Sequence, residues 1–130
     1  MNLPFYVGES TTLKGIRGIF AQRKINEHEL IESCPIIIFP KNQEPEIDAT
    51  VLGSYDYNWD DGNSCFVLGY CVLTNHSYVP NCCYERDFEH KIMKYRAIRE
   101  IAIDEEIFIN YNGNSTDSLT LNSRYTDYSY

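Results

Sequence analysis

The sequence predicts a single domain built mostly of β-strands, and three observations support this. Its apolar stretches are short and are bounded by glycine, proline or polar residues, and no long amphipathic helical pattern occurs. A length of 130 residues without a repeat or a low-complexity linker fits one domain, 1–130. Hydrophobic residues make up 43% and charged residues 23%, which is ordinary for a globular protein.

The strands are predicted from β-rich runs and from alternation of apolar and polar residues. The segment 41–61 is a polar, acidic connection, the apolar run 66–74 is ambiguous between strand and helix, and residues 114–130 form a polar tail. The predicted strands are 16–21, 30–34, 36–39, 82–87, 91–97 and 107–111.

Acidic residues dominate the charge, with a formal net charge of −8. This argues against direct nucleic-acid binding, in which Lys and Arg neutralise phosphates. Between Asn42 and Glu85 there is no Lys or Arg, so the stretch is either a solvated acidic loop or a surface that attracts a cationic partner.

The five cysteines form no Cys-x-x-Cys pair. Together with an N-terminus that does not resemble a signal peptide, this predicts reduced thiols and an intracellular location, cytoplasmic or nuclear. No run approaches the roughly 20 apolar residues of a membrane span, so no membrane association is expected.

Three segments carry polar groups at positions where a chain turns. Residues 75–81, Asn-His-Ser-Tyr-Val-Pro-Asn, follow an apolar run and form either a hydrogen-bonded turn or part of a ligand site. Residues 104–113 lead from an acidic turn into a strand ending at Tyr111, which serves either the core or a site. Residues 14–21 contain Gly15 and Gly18, which allow backbone to approach a ligand.

In this order and spacing the three segments resemble the SET domain of protein lysine methyltransferases, over residues 12–113. Residues 55–59, Tyr-Asp-Tyr-Asn-Trp, and Leu68-Gly69 are similar to the corresponding segments of small free-standing bacterial and viral members of that family. It departs from the family pattern at Ile16, where the first glycine of Gly-x-Gly is expected, and at Asp104, where a glycine is usual and where the change is expected to be harmless. The zinc-binding cysteines that follow some family members are absent, and no metal is expected.

The resemblance implies small sheets of short strands, few short helices and a C-terminal pseudoknot that brings Asn75 beside Tyr111. It also implies S-adenosylmethionine as cofactor and methyl transfer to a lysine Nε. The implied cofactor-binding residues are Ile16, Arg17, Gly18, Asn75, His76 and Tyr111. Tyr111 is the implied catalytic residue, and it orients the amine rather than acting as a strong base, because an ordinary tyrosine pKa is about 10.

For the substrate, the resemblance implies a lysine channel with Tyr55, Tyr57 and Asn110 among its residues, although core packing is the alternative for either tyrosine. The acidic insert then predicts a basic protein or peptide substrate such as a histone tail, and a homodimer is possible. Tyr125, Tyr128 and Tyr130 either cover the channel or belong to a loosely ordered tail.

Two other functions remain open from the sequence. A SET-like peptide-binding module without catalysis is the main alternative, because of the altered Gly-x-Gly. A metal-binding β-domain is the other, but His28, His76 and His90 are far apart in the sequence and lack ligand spacing.

Overall fold

The computed structural model describes residues 2–116 and 118, and the described chain forms two small sheets with short helical segments between them. The first sheet has the strand order β1-β2-β9-β6 and the second the order β4-β5-β3-β8-β7. The strands are β1 Phe5–Glu9, β2 Arg17–Ala21, β3 Leu30–Pro40, β4 Tyr57–Asn58, β5 Asn63–Val67, β6 Asn75–His76, β7 Cys82–Asp87, β8 Ile92–Ala97 and β9 Glu106–Ile109. The mostly-β prediction is therefore confirmed.

The first sheet places the three polar segments side by side. Strand β2 pairs antiparallel with β1 and with β9, and β6 lies parallel to β9, with Asn75 opposite Phe108 and His76 opposite Ile109. Neither β1 nor β6 was expected as a strand. In β6 two residues are paired, which is too short for alternation to be visible in a sequence.

In the second sheet the two predicted strands 30–34 and 36–39 are one strand, β3, which runs through Pro35. Residues up to Pro35 pair with β8, and residues from Ile36 onward pair with β5. The proline lies where the strand changes partners, a place where a missing N–H interrupts neither ladder. The predicted hairpin of β7 and β8 is confirmed.

The acidic connection contains more regular structure than expected. It holds a 3-10 turn at Lys41–Gln43, the short helix α1 at Glu44–Asp48, a second 3-10 turn at Val51–Ser54 and strand β4. Pro45 lies in the first turn of α1, where its missing N–H costs nothing. The ambiguous run is also resolved, because β5 ends at Val67 and a 3-10 turn covers Tyr70–Leu73.

One core lies between the sheets and holds both strands and connections together. Its fully buried members include Ile19, Tyr95, Met93, Ile107 and Ile109. Alternate residues of β8 and of β9 point into it, which fixes the register of the strands that carry the site. No helix in the part of the chain that the structure describes could cross a membrane.

Candidate active site

A cavity of about 180 Å³ lies where β2, β6 and the segment after β9 meet. Apolar side chains, backbone and polar groups all contribute to its wall. None of the described residues that line it is acidic. These residues are Gly15, Ile16, Arg17, Ser54, Tyr55, Val72, Leu73, Thr74, Asn75 and Tyr111.

Asn75 fixes one wall of the cavity. Its side chain is buried, and its Nδ2 donates to the carbonyl of Arg17 at 3.0 Å and to the carboxylate of Glu106 at 3.1 Å. The first bond joins β6 to β2 across the intervening β9. The amide thus holds the backbone of the first predicted segment against the second.

Tyr111 stands two residues beyond β9, and its hydroxyl donates to the carbonyl of Thr74 at 2.8 Å. With its proton directed at that carbonyl, the hydroxyl oxygen presents lone pairs rather than a proton to other groups. The ring is half-buried and lines the cavity. This geometry suits a group that accepts from an amine or a polarised methyl.

His76 lies behind this tyrosine rather than in the cavity wall. Its ring is 2% exposed, and Nδ1 accepts the backbone N–H of Tyr111 at 3.0 Å. Burial lowers the pKa of His76 from 6.5 to about 4, so the ring is neutral at pH 7. The structure therefore gives His76 contacts that orient Tyr111, and its contact with the cofactor stays a prediction.

The two glycines of the first segment, Gly15 and Gly18, have different roles. Gly15 has φ +79° and lines the cavity, so a glycine in the left-handed region lies one residue before Ile16, the position where the family pattern expects one. Gly18 does not line the cavity. A Cβ at Gly18 would lie 2.6 Å from Glu106 Oε2, so this glycine makes room for a buried carboxylate.

Glu106 is a site residue that the sequence analysis missed. Its carboxylate is 3% exposed and accepts hydrogen bonds from the Ser10 hydroxyl, the Thr11 backbone N–H, the Thr11 hydroxyl and Asn75. Ser10 and Thr11 lie 96 and 95 positions earlier in the chain, and Asn75 lies 31 positions earlier. An apolar–polar alternation that starts at a glutamate was the available signal, but nothing in the sequence identified its partners.

The two tyrosines predicted to contact the substrate lie in different places. Tyr55 lines the cavity, whereas Tyr57 accepts a hydrogen bond from the Tyr95 hydroxyl at 2.7 Å and packs edge-on against Tyr84. The Tyr84 hydroxyl would lie 3.2 Å from a Cβ at Gly113, so this tyrosine cluster adjoins the segment that carries Tyr111. Tyr84 was not predicted.

Asn110 is buried, and its Oδ1 accepts the backbone N–H of Asn112 in the turn after β9. It is not among the residues that line the cavity. Tyr125, Tyr128 and Tyr130 lie outside the described residues. Within the described ranges, no three His, Cys, Asp or Glu side chains are grouped to hold a metal ion, and all five cysteines are free thiols.

At Asp104 the backbone has φ +65°, a conformation that suits the glycine usual in the family. The Asp104 carboxylate accepts the Tyr6 hydroxyl at 2.9 Å, a contact that ties the turn before β9 to β1. Asp tolerates the left-handed region better than most residues, because its short polar side chain can bond locally.

The comparisons with known proteins agree with this geometry. The family described as SET domain matches residues 16–112. A histone-lysine N-methyltransferase of Schizosaccharomyces pombe, specific for lysine 37 of H3, is 35% identical over 102 residues, which are 78% of this chain and 69% of that protein.

Solved structures show the same architecture. A candidate histone methyltransferase of Plasmodium falciparum superposes with a TM-score of 0.69 at 29% identity, over 85% of this chain and 95% of that one. A chain of ctPRC2 in an autoinhibited conformation, bound to S-adenosylmethionine, has a TM-score of 0.72 at 21% identity over 89% of this chain and 16% of that one, and supports the fold alone. On the family match and the yeast relative, the chain belongs to the SET-domain family of protein lysine methyltransferases.

Proposed function

We propose that the chain transfers a methyl group from S-adenosylmethionine to the Nε of a lysine in a basic protein segment. The observation that carries this proposal is the cavity in which residues 15–17, Asn75 and Tyr111 meet. Three segments distant in the sequence contribute to this one site, and each comes from a different part of the first sheet or its flanks.

The lining residues fit this cofactor by their chemistry. Apolar side chains of Ile16, Val72 and Leu73 suit a flat heterocycle, and backbone groups supply hydrogen-bond partners. Arg17 is exposed, and its guanidinium is in none of the ion pairs found in the described part of the chain, so it can bind a carboxylate. When bound, S-adenosylmethionine supplies a sulfonium-activated methyl group, so the protein need supply neither a metal nor a covalent intermediate.

The chain's own contribution to the reaction is then positioning and exclusion of water. Tyr111 orients the incoming amine through its hydroxyl oxygen, which the Thr74 carbonyl holds in one rotamer. Tyr55 contributes an aromatic surface to the same cavity. The cluster of Tyr57, Tyr84 and Tyr95 lies beside the Tyr111 segment and is our candidate for the wall along the lysine stem.

A basic substrate is favoured by the charges next to the cavity. Glu46 and Asp48 are exposed on α1, and the following 3-10 turn ends at Ser54, which lines the cavity beside Tyr55. Asp56 does not contribute to this surface, because it is buried. The yeast relative's histone specificity agrees with a histone-like substrate, and a setting inside the cell or nucleus follows from such a substrate.

The test is calorimetric titration with S-adenosylmethionine, followed by mass spectrometry of a basic peptide library incubated with protein and cofactor. We expect saturable binding and mass increases of one or more methyl groups on lysine. Asn75→Ala should weaken binding by about tenfold, as expected for loss of a buried hydrogen-bonding group. Absence of binding at millimolar cofactor would favour the non-catalytic peptide-binding module instead.

A further inference from the structure

We propose that Glu106 is the positioning residue of the cofactor cavity: its buried carboxylate holds the turn at 10–13 and the Asn75 amide in a single arrangement. This inference rests on the proposed function. It concerns a residue that lies behind the cavity wall and does not line it.

The carboxylate receives its hydrogen bonds from two directions. On one side are Ser10 and Thr11, with Thr11 N–H and Thr11 Oγ1 each at 2.7 Å from Glu106 Oε1. On the other side is Asn75, at 3.1 Å from Oε2. Hydrogen bonds to a carboxylate are about twice as strong as those between neutral groups.

Through Ser10 the carboxylate fixes the turn that leads to the cavity. The Ser10 hydroxyl donates to Glu106 and accepts the backbone N–H groups of Thr12 and Leu13, each at 3.2 Å. The Ser10 N–H donates to the carbonyl of Ile16 at 2.7 Å, and Ile16 lines the cavity. One chain of bonds thus runs from Glu106 to the backbone at Ile16.

Through Asn75 the carboxylate also fixes the cavity wall to which Asn75 belongs. The amide that donates to Glu106 also donates to the Arg17 carbonyl, so the two acceptors together determine the rotamer of Asn75. Gly18 is the residue between these groups, and a side chain there would overlap the carboxylate. In the described residues no Lys or Arg forms an ion pair with Glu106, so its role is to organise neutral donors.

The test compares Glu106→Gln with wild type and with Glu89→Gln, which makes the same change at an exposed turn. A Gln side chain has one acceptor oxygen, so it can replace Oε1, which accepts two Thr11 donors, or Oε2, but not both. With the oxygen on the Thr11 side, the Gln amide faces the Asn75 amide and the Asn75 bond is lost while the size of the side chain is kept. We expect the Kd for S-adenosylmethionine, measured by calorimetry, to rise by about tenfold, while kcat at saturating cofactor stays within about threefold. The side-chain amide resonance of Asn75 should shift in Glu106→Gln and not in Glu89→Gln.

Two further variants separate positioning from stability. Thr11→Val removes one donor at an exposed residue and should raise the Kd less than Glu106→Gln does. Ile101→Val lowers stability at a buried position outside the cavity and should leave the Kd unchanged. If Ile101→Val raises the Kd as much as Glu106→Gln does, or if Glu106→Gln binds as wild type does, Glu106 is not a positioning residue. If wild type itself does not bind, the proposed function fails, and this inference with it.

Discussion

At the scale of single residues, the role proposed for Tyr111 follows from a hydroxyl proton that is already engaged in a hydrogen bond. Because the Tyr111 hydroxyl donates to Thr74 at 2.8 Å, its oxygen acts as an acceptor in the cavity. We expect Tyr111→Phe to lower turnover by about 100-fold or more while the Kd for S-adenosylmethionine changes little, since the ring keeps its place. Single-turnover kinetics and calorimetry measure the two quantities, and full activity of Tyr111→Phe would contradict the assignment.

A second residue-scale prediction concerns His76. Its folded pKa, about 4, lies below its ordinary 6.5, so the unfolded chain binds the extra proton between these values. The contribution of His76 to the free energy of unfolding should therefore be fully present above about pH 6.5. It should fall as the pH drops toward 4, by up to about 3 kcal/mol. Denaturation by urea across this range measures the slope.

The control for that experiment is His76→Gln, whose amide oxygen can still accept the N–H of Tyr111. Carboxylates with lowered pKa values also contribute stability that the protein loses in acid. The pKa of Glu29 is lowered mainly by a hydrogen bond from Arg23. Burial raises the pKa of Glu105, but hydrogen bonds, the largest from Arg99, lower it by more. The variant retains those carboxylates, so it should show a shallower slope than wild type. Equal slopes would show that His76 does not contribute.

At the scale of elements, the segment after β6 is held against β9 by the side chain of Asn81 in addition to strand pairing. This buried side chain donates to the carbonyl of Glu106 at 2.8 Å, and its Oδ1 accepts the N–H of Phe108 at 2.8 Å. Its Nδ2 also lies 3.3 Å from Glu105, which binds Arg99. Along this part of β9, hydrogen bonds from one side chain take the place of those that a paired strand would make.

We expect Asn81→Ala to lower the free energy of unfolding by about 3 kcal/mol, because two backbone groups of β9 lose their buried partner. Asn42→Ala, at an exposed position in a 3-10 turn, should change it by less than about 0.5 kcal/mol. Chemical denaturation of both variants measures the difference. If Asn81→Ala lowers the free energy of unfolding no more than Asn42→Ala does, the pairing of β6 with β9 alone holds this segment.

The elements also show what the sequence could predict. Strands β2, β7, β8 and β9 were predicted because each is a β-rich or alternating run of four or more residues. Strand β6 and the bond network of Glu106 were not, since both depend on partners far along the chain. Of the predicted site residues, the structure brings Ile16, Arg17, Tyr55, Asn75 and Tyr111 together at the cavity. It places Gly18, His76, Tyr57 and Asn110 behind or beside it, because a motif gives a residue's position in the chain and not the direction of its side chain.

At the scale of the whole molecule, the net charge of −8 should influence how a cationic substrate arrives. We expect kcat/KM for a basic peptide to fall as salt rises from about 0.01 to 0.5 M, over which screening shortens from roughly 30 Å to under 10 Å. Glu46→Gln combined with Asp48→Asn should reduce this dependence, whereas Glu89→Gln with Glu100→Gln, which removes the same charge elsewhere, should reduce it less. A rate insensitive to salt would contradict steering.

The hydrogen bond between Ser10 and Glu106 joins residues 96 positions apart, and it has a consequence for how the molecule folds. The hydrogen bonds that Ser10 and Thr11 donate to Glu106 can form only after β9 has been placed, because the accepting carboxylate belongs to that strand. Contacts between distant positions are costly in loop entropy and slow the search for the native state. We expect hydrogen-exchange pulse labelling during refolding to protect the β7–β8 hairpin first and the amides of Thr11 and Tyr111 last, so that binding competence is the final property the chain acquires.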